Sequence, residues 1–196
     1  FYWYKWAVRF GRITPPVNPN QLATDFRLHE FYGDQVEIEH DHQLLGQPGA
    51  VRLLGFRNHV RTGRFDEAIV TFVADPNKNA TTCPGFSYDS ANPTAPDLCW
   101  VRRPNVKVGV GINVEQYVGT DVGLFLRAMY ADGKTEVNAF NPADRSLSFG
   151  VVAKGSLWRR HFDVAGFGFA AAWISSDHAR YLQMGGIDGF IGDGSL

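Results

Sequence analysis

NVKVGVGINVEQYV, residues 105–118, is the stretch on which the fold turns. Val106, Val108, Val110, Ile112 and Val114 fall at every second position, with Lys107, Gly109, Gly111, Asn113 and Glu115 between them. A repeat of two sustained along the segment puts every aliphatic side chain on one side of an extended strand, whereas a helix would scatter them. One face of this strand is therefore oily and the other charged or bare. In a soluble sandwich the oily face meets a second sheet; in a membrane barrel it meets lipid. Packing Lys107 and Glu115 into a dry core would cost several kcal/mol each unless they were paired.

The flanking segments carry the same alternation. Upstream lie FYWYKWAVRFGRI (1–13), DQVEIEHDHQLL (34–45) and AVRLLGFRNHV (50–60); downstream lie DVGLFLRAMYA (121–131), SLSFGVVAKG (146–155) and FDVAGFGFAAAWI (162–174). In the last of these Phe167, Phe169 and Trp173 share one face, and Gly166, Gly168, Ala170 and Ala172 the other. The connections alternate in length. TPPVNPNQLATDFRLHEF (14–31), the excursion 61–104 and DGKTEVNAFNPADR are long, while GQPG (46–49), Gly119-Thr120 and SLWRR are short. Closely spaced prolines exclude a regular helix from the first long connection. Within the second, RFDEAIVTFVADP has apolar residues at helical spacing up to Pro76 and predicts a short helix.

Composition agrees with a strand-rich chain. Among 196 residues there are 21 Gly and 14% aromatics, but only 2 Met, and the net charge is -1. That charge gives no basic stripe for nucleic acid. No stretch reaches the ~18 apolar residues of a membrane helix, a test to which barrels are blind because their strands are ~10-residue alternating segments. Cys83 and Cys99 lie in one Pro/Asn/Thr/Ser-rich stretch. A loop disulfide fits that setting and an oxidising compartment, with two free thiols as the alternative.

Brief turns alternating with extended loops are the asymmetry of an antiparallel transmembrane β-barrel of the porin type, with short periplasmic turns and long extracellular loops. The expected fold is accordingly all-β, with residues 1–196 a single partial barrel domain of about seven strands. Bacterial single-chain barrels have even strand numbers, and an open sheet in lipid leaves backbone groups unpaired. The sequence is therefore read as a piece lacking strands on both sides.

The phrases DQVEIEH, PGAVRLLGFRN, GVGINVEQYV, VGLFLRAMYADGKTE, FGVVAKGSLWRRHFDVAGFGFA and SSDHARYLQMGGIDGFIGDGSL occur in this order from Asp34 to Leu196, broken by the loop at 66–104. In that series the chain resembles the carbohydrate-selective porins of Gram-negative bacteria, the OprB type. The resemblance implies a closed outer-membrane barrel about twice as long, through which sugars and small hydrophilic solutes diffuse passively. It implies no cofactor and no chemical step. Sugars, outer-membrane lipid and a homo-oligomer are the partners to be considered.

On that reading the lumen face supplies the candidate site. Glu37, Glu39 and Asp41 share one face of EIEHDH, and His40 and His42 share the other. The carboxylates would accept sugar hydroxyls; the two histidines lack a third ligand for a metal. Arg52, Arg57 and Arg127 sit among apolar residues, and an arginine facing lipid at mid-bilayer costs ~2–4 kcal/mol, so each should point inward or lie at a rim. Arg57 and Arg127 fit the inward phase, while Arg52 is ambiguous because Val51, Leu53 and Leu54 straddle both faces. Lys107, Asn113 and Glu115 complete the expected pore lining. Phe1, Tyr2, Trp3, Tyr4 and Trp6 read as a membrane-interface girdle, as do Trp100, Tyr117, Tyr130 and Trp158 near strand ends.

The terminal GGIDGFIGDG lacks the strand-turn-helix setting of a dinucleotide loop and the tandem copies of a calcium-binding repeat, so it reads as a glycine-shaped loop. Asn79-Ala80-Thr81 matches a glycosylation acceptor pattern, of little meaning in a bacterium. No nucleophile elbow or Walker loop is present, so an enzyme is not expected. The rival functions are a soluble β-sandwich carbohydrate-binding module, a carbohydrate-active enzyme built on paired carboxylates, and a structural or adhesive outer-membrane protein.

Overall fold

A computed structural model of the chain describes residues 1–78, 83, 94–138 and 141–188. The strands are β1 (Tyr2–Trp3), β2 (Trp6–Ile13), β3 (Tyr32–Leu44), β4 (Gln47–Thr62), β5 (Arg103–Val118), β6 (Val122–Ala131), β7 (Arg145–Lys154) and β8 (Val164–Trp173). They form one antiparallel meander in chain order, and among the described residues β1 and β8 do not pair with each other.

The count is eight rather than seven because the first aromatic run is itself a hairpin. Trp3 pairs with Trp6 and Tyr2 with Ala7, and Tyr4 turns the corner at φ 55. A turn spelled Tyr-Lys lacks the glycine or asparagine that marks most such corners. The next turn also moves. Leu44 pairs with Gln47, so the corner is Leu45-Gly46, both at positive φ (52 and 76), and Pro48 and Gly49 lie within β4. Two successive positive φ values give the corner whose twist matches the flanking strands.

The long connections gather at one end and the short ones at the other. Register carries the side-chain phase from strand to strand. Ile38, Leu53, Ile112 and Ala128 form one row, and Val36, Gly55, Val110 and Tyr130 the next. This outer face has no protein over it: Val108 is 44% exposed and Val110 60%. A sandwich core would have covered both.

The compact apolar core lies instead in the long loops. Helix α1 (Phe65–Ala74), expected from its spacing, packs with a 3₁₀ turn at Leu98–Val101 and with a second helix, α2 (Ser176–Gln183). Phe65, Ala68, Ile69, Leu98, Tyr181 and Leu182 are buried together. Asp66 and Glu67 in the first turn of α1 suit the positive end of its dipole. Helix α2, which apolar periodicity does not betray, starts at Ser175, whose Oγ accepts from the His178 amide (3.1 Å). A disulfide joins Cys83 to Cys99, with Cα atoms 6.2 Å apart, tying the first helical loop to the 3₁₀ turn. The acceptor pattern at Asn79 and the end of the glycine-rich terminal loop, 189–196, fall outside the described residues.

Candidate functional site

On the inner face, opposite the valines, charged side chains run across five neighbouring strands. Arg9 on β2 reaches Glu37 (2.7 Å) and Glu39 (3.2 Å) on β3. Arg52 on β4 contacts Glu39 through Nε and Glu115 on β5 through Nη1 (3.1 Å). Arg127 on β6 completes the row 3.9 Å from the same Glu115 oxygen, and Asn113 donates to it at 3.4 Å. Three guanidiniums face three carboxylates in alternation, so the wall is strongly polar without a net charge along this row.

The row grades from sealed to open. The Glu39 side chain is only 11% exposed, held between two arginines, whereas Glu115 is 44% and Arg127 62% exposed. Glu39 thus holds strands together, while Glu115 and Arg127 keep hydrogen-bonding capacity open toward the inner side. A planar guanidinium offers five donors, and Arg127 directs none of them to a hydrogen bond among the described residues.

One arginine sits opposite to what the sequence phase indicates, and another takes the side that the phase left open. Arg52, ambiguous in the sequence, points inward because Glu39 and Glu115 flank it. Arg57 pairs in register with Asp34 and Val108 and lies on the outer face near the long-loop end, so it does not line the inner wall. The inward place beside it belongs to Phe56, whose ring lies over Gly109; a Cβ at Gly109 would be 2.3 Å from it. An aromatic turned inward against a bare glycine inverts the apolar phase on which the sequence reading relied.

Lys107 is on the inner face but is not open to a lumen. Its side chain, 12% exposed, donates to Asp144 Oδ1 (3.0 Å) and the Thr135 carbonyl (3.2 Å), clasping the 132–144 loop to the wall. Asp144 belongs to a buried cluster that nothing in the sequence announced. Its Oδ2 accepts from the Ser175 amide (2.9 Å) and from His178 Nδ1 (3.2 Å). The His178 ring stacks on Phe65 at 4.2 Å, and its Nε2 lies 3.3 Å from Asp188 Oδ2 without the alignment of a hydrogen bond. Burial alone would raise Asp144, but His178, Lys107 and the Ser175 amide outweigh it and bring the carboxyl down to about 2. Asp188, buried and near Glu136, is pushed up to about 7. Nearby, Glu136 receives a two-pronged contact from Arg102 (2.6 Å each) and accepts from the Gly63 amide (2.6 Å). The loops therefore fold over the inner side of the sheet at its long-loop end.

Aromatic residues mark both ends of the outer face. Trp6 packs against His40 with the rings tilted (4.2 Å between centres) at the short-turn end, and Tyr130 lies under Arg145 (4.9 Å) and Tyr32 under Arg12 (4.3 Å) at the other. His42 contacts Gln116 (2.9 Å) rather than joining a ligand set, and no metal-binding cluster is found among the described residues. Tyr2 and Tyr117 depart from the girdle. Tyr2 pairs with Ala7 and so shares the inner face with Arg9, and Tyr117 shares that of Glu115.

The comparisons with known proteins agree with this geometry. The solved structure of Pseudomonas putida OprB at high pH resembles the chain with a TM-score of 0.59 at 17% identity. The match covers 92% of this chain and 40% of that one, so this chain spans less than half of that protein's length. No curated protein matches. A family model described as "Carbohydrate-selective porin, OprB family" matches residues 2–194. An antiparallel sheet with an uncovered apolar side, a charged inner side and helical loops at one end is the expected form of such a chain, and it belongs to the carbohydrate-selective porin, OprB family.

Proposed function

We propose that the complete protein is a pore for sugars and other small hydrophilic solutes, and that this chain supplies one continuous part of its wall and mouth. As a member of this porin family it is a protein of the outer membrane. The observation that carries the reading is the two-sidedness of the sheet. The valine face lies uncovered, as a lipid-facing surface must, while the opposite face bears the Arg9–Glu39–Arg52–Glu115–Arg127 row.

Transport of this kind needs contacts good enough to favour entry and weak enough to permit exit. Neutral polyols suit the inner wall because its charges alternate, offering donors and acceptors side rather than a single attractive sign. Glu115 and Arg127 are the most open of these groups, and Glu37, Glu39, Arg52 and Asn113 form the framework behind them. We assign no chemistry to the site. Each of Glu37, Glu39 and Glu115 is within reach of an arginine, which does not favour the division into one protonated and one ionised carboxyl on which glycosidases depend.

Liposome swelling with the full-length protein tests the proposal. Vesicles containing it should swell in isosmotic monosaccharide and more slowly in disaccharide. Swelling no faster than in protein-free vesicles refutes the pore.

A further inference from the structure

Near the short-turn end of the inner face, two aromatic rings lie on strips of wall that have no side chains. Phe125 on β6 stands in register with Gly150 on β7, which in turn pairs with Gly168 on β8. A Cβ at Gly150 would meet the Phe125 ring at 2.6 Å, so the ring is laid against the backbone there. One row closer to the short turns, Tyr117 on β5 pairs with Gly123 and its ring is in van der Waals reach of that glycine. Each ring thus has one side against the wall, and the Arg127 guanidinium lies over part of the Phe125 ring.

Polar groups flank this pair. Glu115 is the register partner of Phe125, and Arg127 lies two residues along β6 with its guanidinium carbon 5.7 Å from the Phe125 ring centre. These residues, with Asp121 and Lys154, border one cavity of about 380 Å³. Another inward ring, Phe56, lines a separate cavity with Val137, Asn138 and Asn141, in which Lys107 and Glu136 already have protein partners.

We propose that this cavity is a binding subsite for a neutral hexopyranose, stacked by its C–H face on Phe125 and Tyr117 and held at its hydroxyl edge by Glu115 and Arg127. The assignment rests on the pore reading, since it takes the inner face as the solute path. The chemistry is specific to a sugar ring. The apolar C–H face needs a flat hydrocarbon surface, and the equatorial hydroxyls need an acceptor and a donor set beside it. Glu115 accepts, and the unengaged fork of Arg127 donates. An inorganic anion would have no use for the two rings, and the pull of Arg127 and Lys154 on it is offset by Glu115 and Asp121. The rings also fit the transport requirement, because stacking is a weak contact that a passing solute can leave.

Conductance of the full-length protein in a planar bilayer, with D-glucose added stepwise, tests the subsite. The half-blocking glucose concentration is read relative to each variant's own sugar-free conductance. Phe125→Leu and Arg127→Gln should each raise it about 3- to 10-fold, and Phe149→Leu, on the outer face, should leave it unchanged. Two changes at separate positions keep the test sound if one variant fails to fold. A channel that conducts, with the same half-blocking concentration in wild type and both inner-face variants, overturns the subsite and leaves the pore intact. A protein that carries no current at all overturns the pore reading, and the subsite falls with it.

Discussion

Substituting Asp188→Asn should abolish a pH dependence that the wild-type loop layer must have. In the docked layer Asp188 titrates at about 7, against an ordinary value of 3.8, because burial disfavours its charge. Its folded value is raised, so its contribution to docking is complete below about pH 4 and is lost as pH climbs through about 7. Asp144 runs the other way. With a docked value of about 2, its contribution is present above about pH 4 and is lost as pH falls toward 2. From pH 5 to pH 8, therefore, Asp188 alone of the two sets the slope. Each pH unit between 5 and 7 costs a factor of ten in the docking equilibrium, about 100-fold in all, or on the order of 3 kcal/mol. Lys107, His178 and Glu136 surround the carboxyl, and the asparagine leaves all three in place. Hydrogen exchange of the α2 amides, Ser176–Gln183, in detergent micelles and corrected for intrinsic exchange, reads the equilibrium. Wild-type protection should fall about 100-fold over that range while Asp188→Asn stays nearly flat. Equal slopes in the two proteins would refute the role given to Asp188.

Three further outcomes follow from the two faces of the sheet. Val110→Arg, on the uncovered outer face, should cost ~2–4 kcal/mol of folding stability in phospholipid vesicles, and Asn113→Arg on the inner face much less; equal costs would remove the assignment of faces. Glu39→Gln leaves Arg9 and Arg52 without their shared charge and should cost about 3 kcal/mol in urea unfolding, whereas the more open Glu37→Gln should cost under about 1 kcal/mol. Gly109→Ala places a methyl 2.3 Å from the Phe56 ring and 2.7 Å from the Tyr130 carbonyl, and should lower stability by ~1–3 kcal/mol, part of it recovered by a second change of Phe56 to Ala.

How far the fold can be read from the sequence depends on what each pattern encodes. The strand 105–118 was legible because its alternation records a single physical fact, oil on one side and water on the other, along its whole length. The short helix at Phe65–Ala74 was legible for the same reason at a different period. What escaped was fixed by contacts that only the folded chain assembles. Arg57 leaves its expected side because Gly109, a strand away, admits its neighbour Phe56 to the inner face. The Tyr4-Lys5 corner hides inside an aromatic run that reads as one strand. The Asp144–His178–Asp188 cluster joins residues from three loop positions that share no motif. Only the Ser175 cap, three residues before His178, carried a local signal that a helix begins there.

The molecule is stabilised by two systems with different solvents in mind. The strands have no buried apolar core of their own; their oily side relies on hydrocarbon, and their inner side on backbone ladders and arginine–carboxylate pairs. The loop layer is built like a small water-soluble protein, with Phe65, Leu98, Tyr181 and Leu182 buried, a disulfide and a helix capped by Ser175. Lys107 joins the two, rooted in β5 and bonded to Asp144 in the layer. A contact between unlike systems is where they can separate: weakening it should release the loops while the wall endures. The acidic residues that titrate abnormally, Asp144 and Asp188, lie on the loop side of that contact. Changes of pH should therefore alter the loop layer before they disturb the sheet.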